Sequence, residues 1–153
     1  MKQFKIGFII FVFMLAFLQL GLNAAAQVTE GNYSQISRAA WFDYANDLDY
    51  SSQVLNEYAN KNLSQSEAIQ SIMAIYSLAG RTESNLARAV PPKKYVKYQN
   101  YTFNAVENFR LYLWNLGKFV ETSYASYGIT AQTCLNQSLD YRQKADDESV
   151  LIL

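Results

Sequence analysis

The sequence predicts an all-α fold, an antiparallel up-down four-helix bundle preceded by an N-terminal signal peptide or anchor helix. Three observations carry this expectation. Apolar residues recur at three- and four-residue steps through four stretches of the 153-residue chain, the last of them short, the spacing of one helix face. No stretch alternates apolar and polar residues long enough to suggest a strand. The only two prolines stand together at 91 and 92, where they end one helix and let the next turn back on it.

Residues 1–26 read as the leader. Lys2 and Lys5 form a positive start, Ile6 to Leu18 is an unbroken apolar run, and Ala24-Ala25-Ala26 supplies small residues for cleavage before Gln27. The alternative is an uncleaved membrane anchor, stretched through Leu22 to Ala26 and interrupted by Gln19 and Asn23. Either reading puts residues 27–153, a single helical-bundle domain, outside the cytoplasm, secreted or associated with the cell envelope. No cysteine stands directly after the apolar run, which argues against a bacterial lipoprotein.

Gln27 to Tyr33 is read as a polar lead-in. The first helix, about Ser34 to Asn60, carries Trp41, Tyr44, Leu48, Ser51, Leu55 and Tyr58 on its apolar face. The second opens at Ser64-Gln65-Ser66-Glu67, a capping box in which the serine hydroxyl takes an orphan amide and the glutamate reaches back. Its stripe runs Ile69, Ile72, Met73, Tyr76, Ala79, Leu86, Val90, and it stops at the proline pair. The third, about Lys94 to Tyr124, is the longest, with Tyr98, Thr102, Ala105, Phe109, Tyr112, Leu116, Phe119 and Val120 inward. Phe103, Leu113 and Trp114 lie off that stripe and widen its apolar surface. Tyr127-Gly128 is expected to turn the chain. Thr130 then caps a short fourth helix, about Ala131 to Lys144, with Ala131, Cys134, Leu135, Ser138 and Tyr141 inward. Asp146-Asp147-Glu148 is an unfavourable helix end for the backbone dipole, so fraying is expected there.

Composition excludes more chemistry than it suggests. There is no histidine, so triads with an imidazole base and Glu-x-x-His metal pairs have no means of assembly. With a single cysteine besides, zinc sites and disulfide scaffolds fall too, and Cys134 reads as a buried, inert thiol. Asp43, Asp47 and Asp49 are the densest carboxylates. Hard cations such as calcium ask for about six oxygens and a tight loop, so these residues read as a solvated acidic face. Of the 13 basic residues, Lys2 and Lys5 belong to the leader. The remaining 11 face 13 acidic ones, too even a balance for nucleic acid. Arg81, Arg88, Lys93, Lys94 and Lys97 make the proline corner basic, read as dipole complementation and a solvated turn rather than a dock for an anionic polymer. No cofactor is expected, and no enzymatic activity.

Twelve tyrosines remain. Tyr44, Tyr76, Tyr98 and Tyr112 sit on inward stripes and are candidates for an aromatic pocket between helices, or for core positions whose hydroxyls reach the boundary. Asn32, Asn62, Asn100 and Asn136 begin Asn-x-Ser/Thr sequons, candidates for glycosylation, with Asn32 and Asn62 expected in connections.

Residues 77–116 run a helix into Ala89-Val90-Pro91-Pro92 and then space Tyr95, Tyr98, Tyr101 and Ala105 along the next. This resembles a pattern of small exported four-helix envelope proteins of unknown function from archaea and bacteria. That pattern often carries a histidine where this chain has Gln99. The resemblance implies a helical hairpin in an envelope protein and brings no activity with it.

The expectation is therefore a non-catalytic interaction or structural module whose partner is a protein or another envelope component. The alternative is a small-ligand-binding or sensor-like bundle. Membrane contact is expected only through an uncleaved leader. A ligand binder keeps a cavity between helices; an interaction module exposes an apolar patch, with Phe103, Leu113 and Trp114 the residues to inspect.

Overall fold

The computed structural model describes residues 29–152. The expected leader at 1–26 and its cleavage boundary lie outside them. Four long helices make up the described chain: α1 (Glu30–Ala59), α2 (Gln65–Arg88), α3 (Val96–Thr122) and α4 (Ala125–Ile152). A 3₁₀ turn at Lys93–Tyr95 joins the proline pair to α3, and among the described residues there is no strand.

Each helix runs antiparallel to its neighbour in sequence. Thr82 on α2 donates to Asp43 on α1 across the seam they share. Gln65 at the start of α2 donates to the carbonyls of Val120 and Glu121 at the end of α3. Lys97 at the start of α3 pairs with Glu148 at the end of α4 at 3.1 Å. The core between them is built from Tyr44 and Val54, Ile72 and Ile75, Phe109, Leu113 and Leu116, with small residues of α4 closing it.

Local chemistry sets the boundaries. The capping box forms as expected: Ser64 accepts from the Glu67 amide and its own amide donates to the Glu67 carboxylate. α1 starts earlier than the expected Ser34, because the Thr29 hydroxyl caps it by accepting from the Asn32 amide. Tyr33, read as part of a polar lead-in, is consequently a fully buried helical residue. α1 ends with Lys61 in the left-handed region at φ 63°. The amide of Asn62 reaches back to the Glu57 carbonyl and that of Lys61 to Tyr58, a Schellman-type closure. At the proline corner, Gln99 Nε2 donates to the carbonyls of Leu86 and Ala89, in the last turn and at the end of α2, where the regular helical ladder stops.

α4 departs most from expectation. The chain turns at Ser123, which adopts φ 57°, rather than at Tyr127-Gly128. Gly128 lies inside α4, where an added Cβ would stand 3.2 Å from the Phe119 ring, so its smallness serves packing. Thr130, expected as a cap, instead donates to the Ser126 carbonyl one turn back. The acidic run does not end the helix by Lys144. Lys144–Asp140, Gln143–Asp147 and the Lys97–Glu148 pair with α3 offset the unfavourable dipole. The inward face of α4 is narrow and made of small residues: Ala131, Cys134, Ser138 and Ala145. They allow a close approach to α3, close enough for the Ser138 hydroxyl to donate to the Ala105 backbone carbonyl at 2.7 Å.

Candidate functional site

The four candidate tyrosines do not converge on one cavity. Tyr44 and Tyr112 are buried and flank Phe109, with ring centroids 5.2 and 5.7 Å from it; together they fill the core. Tyr44 donates to Ser138 at 2.8 Å, the direction fixed because Ser138 spends its own proton on Ala105. Tyr76 lies on the opposite side, accepting from Arg110 Nη1 and packing its ring 5.8 Å from Trp114. Arg110 is held there by an ion pair with Glu83. Of the four, Tyr98 lines an open space among the described residues.

That space is a cavity of ≈ 190 Å³ where α1, the proline corner and α4 meet. α1 supplies Tyr33, Ser34, Ser37 and Arg38. The corner supplies Tyr95 and Tyr98, and α4 contributes Ser149. The rings of Tyr33 and Tyr95 stand 5.0 Å apart and form an apolar wall. Two ion pairs brace the rim: Lys94 with Glu30 at 3.0 Å, and Lys97 with Glu148. Two lysines of the basic corner thus already have partners across to α1 and α4.

Unspent hydroxyl protons give the cavity its character. The Tyr98 hydroxyl accepts twice, from Ser37 Oγ at 2.9 Å and from Trp41 Nε1 at 2.7 Å. Its acceptor capacity is spent and its own proton is not. Trp41 passes the contact inward by an edge-on stack with Tyr44, 5.4 Å between centroids, so the cavity is joined to the aromatic core. The Tyr33 hydroxyl is fully buried and has no hydrogen-bond partner. Burial, reinforced by Tyr98 and Tyr95, holds its pKa far above that of a free phenol, so it is a neutral donor. Leaving such a group unpaired costs about 1–3 kcal/mol.

Asp47 is the other buried oddity. It is not part of a solvated face: it is 8 % exposed, and its Oδ2 has no hydrogen-bond partner. Burial, with a contribution from Asp43, pushes its carboxyl up to about 6. The signal was available in the sequence, since Tyr44, Asp47, Ser51 and Val54 share one three- and four-residue stripe. Cys134 is buried, and burial raises its thiol pKa, which disfavours the reactive thiolate. Among the described residues no group of three or more metal-ligating side chains is gathered, and no helix is long and apolar enough to cross a membrane.

Of the three residues to inspect for a patch, Leu113 is fully buried and Phe103 is half-buried. Leu113 was read off the stripe; α3 turns it into the core, because α3 is covered by α2 on one flank and α4 on another. Trp114 is 44 % exposed, with Lys118 over its ring at 5.4 Å. Leu111, one turn before it, is 42 % exposed, and Phe119, Tyr124 and Ile129 are exposed around the α3–α4 turn. All four sequon asparagines are exposed. Asn62 lies in a connection as expected, whereas Asn32 falls in the first turn of α1, and Asn100 and Asn136 lie within helices.

Comparison of the chain with protein-family models, with curated proteins and with solved structures finds no match.

Proposed function

We propose that this chain is an exported, non-catalytic up-down four-helix bundle that acts at the cell surface or in the surrounding medium by binding another protein. The observation that carries the reading is Trp114, exposed on the outer face of α3 beside Leu111 and followed by the apolar α3–α4 turn. Single exposed apolar residues are ordinary on a surface, whereas clustered ones mark contact sites. Tryptophan is also the residue type most often found at the energetic centre of interfaces. The leader reading of residues 1–26 supports the location, and Asn62, in an exposed turn, is the sequon best suited to a glycan.

A photo-activatable residue placed at 114 in the native host tests this. A discrete protein adduct is expected there and not from Gln137 on the outer face of α4. Addition of Leu111→Glu should abolish it. Equal labelling from both positions, or none, removes the reading.

A second reading, a small-ligand-binding bundle, is favoured by the cavity at Tyr98, whose polar lining has donors left over.

A further inference from the structure

We infer that the cavity between α1, the proline corner and α4 binds a small monocarboxylic acid with a compact apolar body, its carboxylate taken by Arg38 and the hydroxyls of Tyr98 and Tyr33. This rests on the ligand-binding reading above and names its ligand class.

Three lining groups have donors to spare, Tyr98, Tyr33 and Arg38, while the hydroxyls of Ser34, Tyr95 and Ser149 remain able to accept. Tyr98 has both acceptor positions filled by Ser37 and Trp41, so only its O–H remains. Tyr33 has an O–H without a partner, buried at 0 % exposure. Arg38 lines the same cavity, and no ion pair engages it among the described residues. Glu30 and Glu148, at the rim, are engaged by Lys94 and Lys97.

Donors converging from two phenols and a guanidinium select an acceptor-only group. A carboxylate has two oxygens and about four lone-pair positions, enough for all three, and a planar fork-to-fork match with arginine. One guanidinium balances one negative charge; a dianion would carry an uncompensated charge into a partly closed site. The half-buried Tyr95 ring, tilted against the buried Tyr33 ring behind it, supplies the apolar wall for the ligand's body. Size sets the upper bound: an apolar cavity of about 150 Å³ accommodates benzene, so ≈ 190 Å³ suits a ring or a short branched chain with its carboxylate. The Tyr33 hydroxyl is closed off from solvent and lies on the axis of its own ring, so a carboxylate seated on Tyr98 and Arg38 reaches it only when the Tyr33 side chain swings about its Cα–Cβ bond.

Trp41 provides the readout, because its indole N–H is bonded to Tyr98 at the cavity wall. Protein isolated from its host is titrated with benzoate, benzamide and benzylamine while the Trp41 indole N–H is followed by NMR. Saturable movement is expected with benzoate, with benzamide and benzylamine at least tenfold weaker. Arg38→Gln should weaken benzoate by tenfold or more and leave benzamide unchanged. Tyr33→Phe, which deletes an unpartnered hydroxyl and should fold at least as well, should weaken benzoate several-fold. If benzamide or benzylamine binds as well as benzoate, the cavity is a ligand site and the carboxylate assignment is wrong. If benzoate binding ignores both substitutions, the assignment of this cavity is wrong. If none of the three probes moves the Trp41 signal, the assignment and the ligand-binding reading fall together.

Discussion

α1 and α4 both turn polar side chains into the interior, and they treat them in opposite ways. On α4 the buried polar residue is Ser138, which accepts from Tyr44 and donates to the Ala105 carbonyl, so every group in that chain is partnered. On α1 the buried polar residues include Tyr33 and Asp47, each with an oxygen that has none. A partnered network rigidifies and specifies; an unpartnered group is a local cost that must be tolerated. The seam of α4 against α3 is therefore built for holding. The face of α1 toward the cavity retains capacity for something else.

The sharpest way to break the α4 side is Ser138→Leu. It overfills a seam closed by alanines and strands the Tyr44 hydroxyl, two effects each of about 1–3 kcal/mol. A loss of about 4 kcal/mol in urea unfolding is expected, and a loss below about 1 kcal/mol would mean that the seam is loose.

Asp47→Asn addresses the α1 side and carries a pH signature. The folded carboxyl titrates near 6 against an ordinary value of 3.8, so the native state prefers it protonated. Native Asp47 then costs stability as pH rises from about 4 to about 6, with the full penalty above that. The Asn variant should be more stable by up to about 3 kcal/mol at pH 7, the advantage falling to about 0.5 kcal/mol at pH 4 and vanishing below about pH 3. An advantage independent of pH would place the cause elsewhere.

Tyr33→Phe is the mildest. Removing an unpaired buried hydroxyl should be neutral or raise stability by about 1 kcal/mol in the same unfolding assay. A loss of 1 kcal/mol or more would reveal a partner for that oxygen and dissolve the contrast between the two helices.

What the sequence made legible was local or periodic. The capping box needs only Ser64 and Glu67, and the proline pair acts on its own neighbours, so both were readable. The inward stripes put Tyr44 and Tyr112 correctly on the inner face, yet a stripe cannot tell a filled core from a pocket. Only packing distinguishes the ring on Phe109 from the ring beside a cavity. The end of α4 was misread because Lys97, which pairs with Glu148, lies in another helix. The same holds for Gly128, whose neighbour Phe119 lies across the turn. Tyr33 went unnoticed because Thr29 starts α1 ahead of the first periodic residue, and Arg38 because a lone exposed arginine carries no pattern.

The chain of hydroxyls from Tyr44 through Ser138 to Ala105 also has a consequence in time. Its two bonds close across 94 and 33 residues of sequence, so both need the helices already gathered. Contacts of that kind are expected to close late in folding, in which case their loss shows in how fast the molecule comes apart. Ser138→Ala should leave the refolding rate almost unchanged and speed unfolding several-fold, which makes α4 the clasp that sets the lifetime of the native bundle.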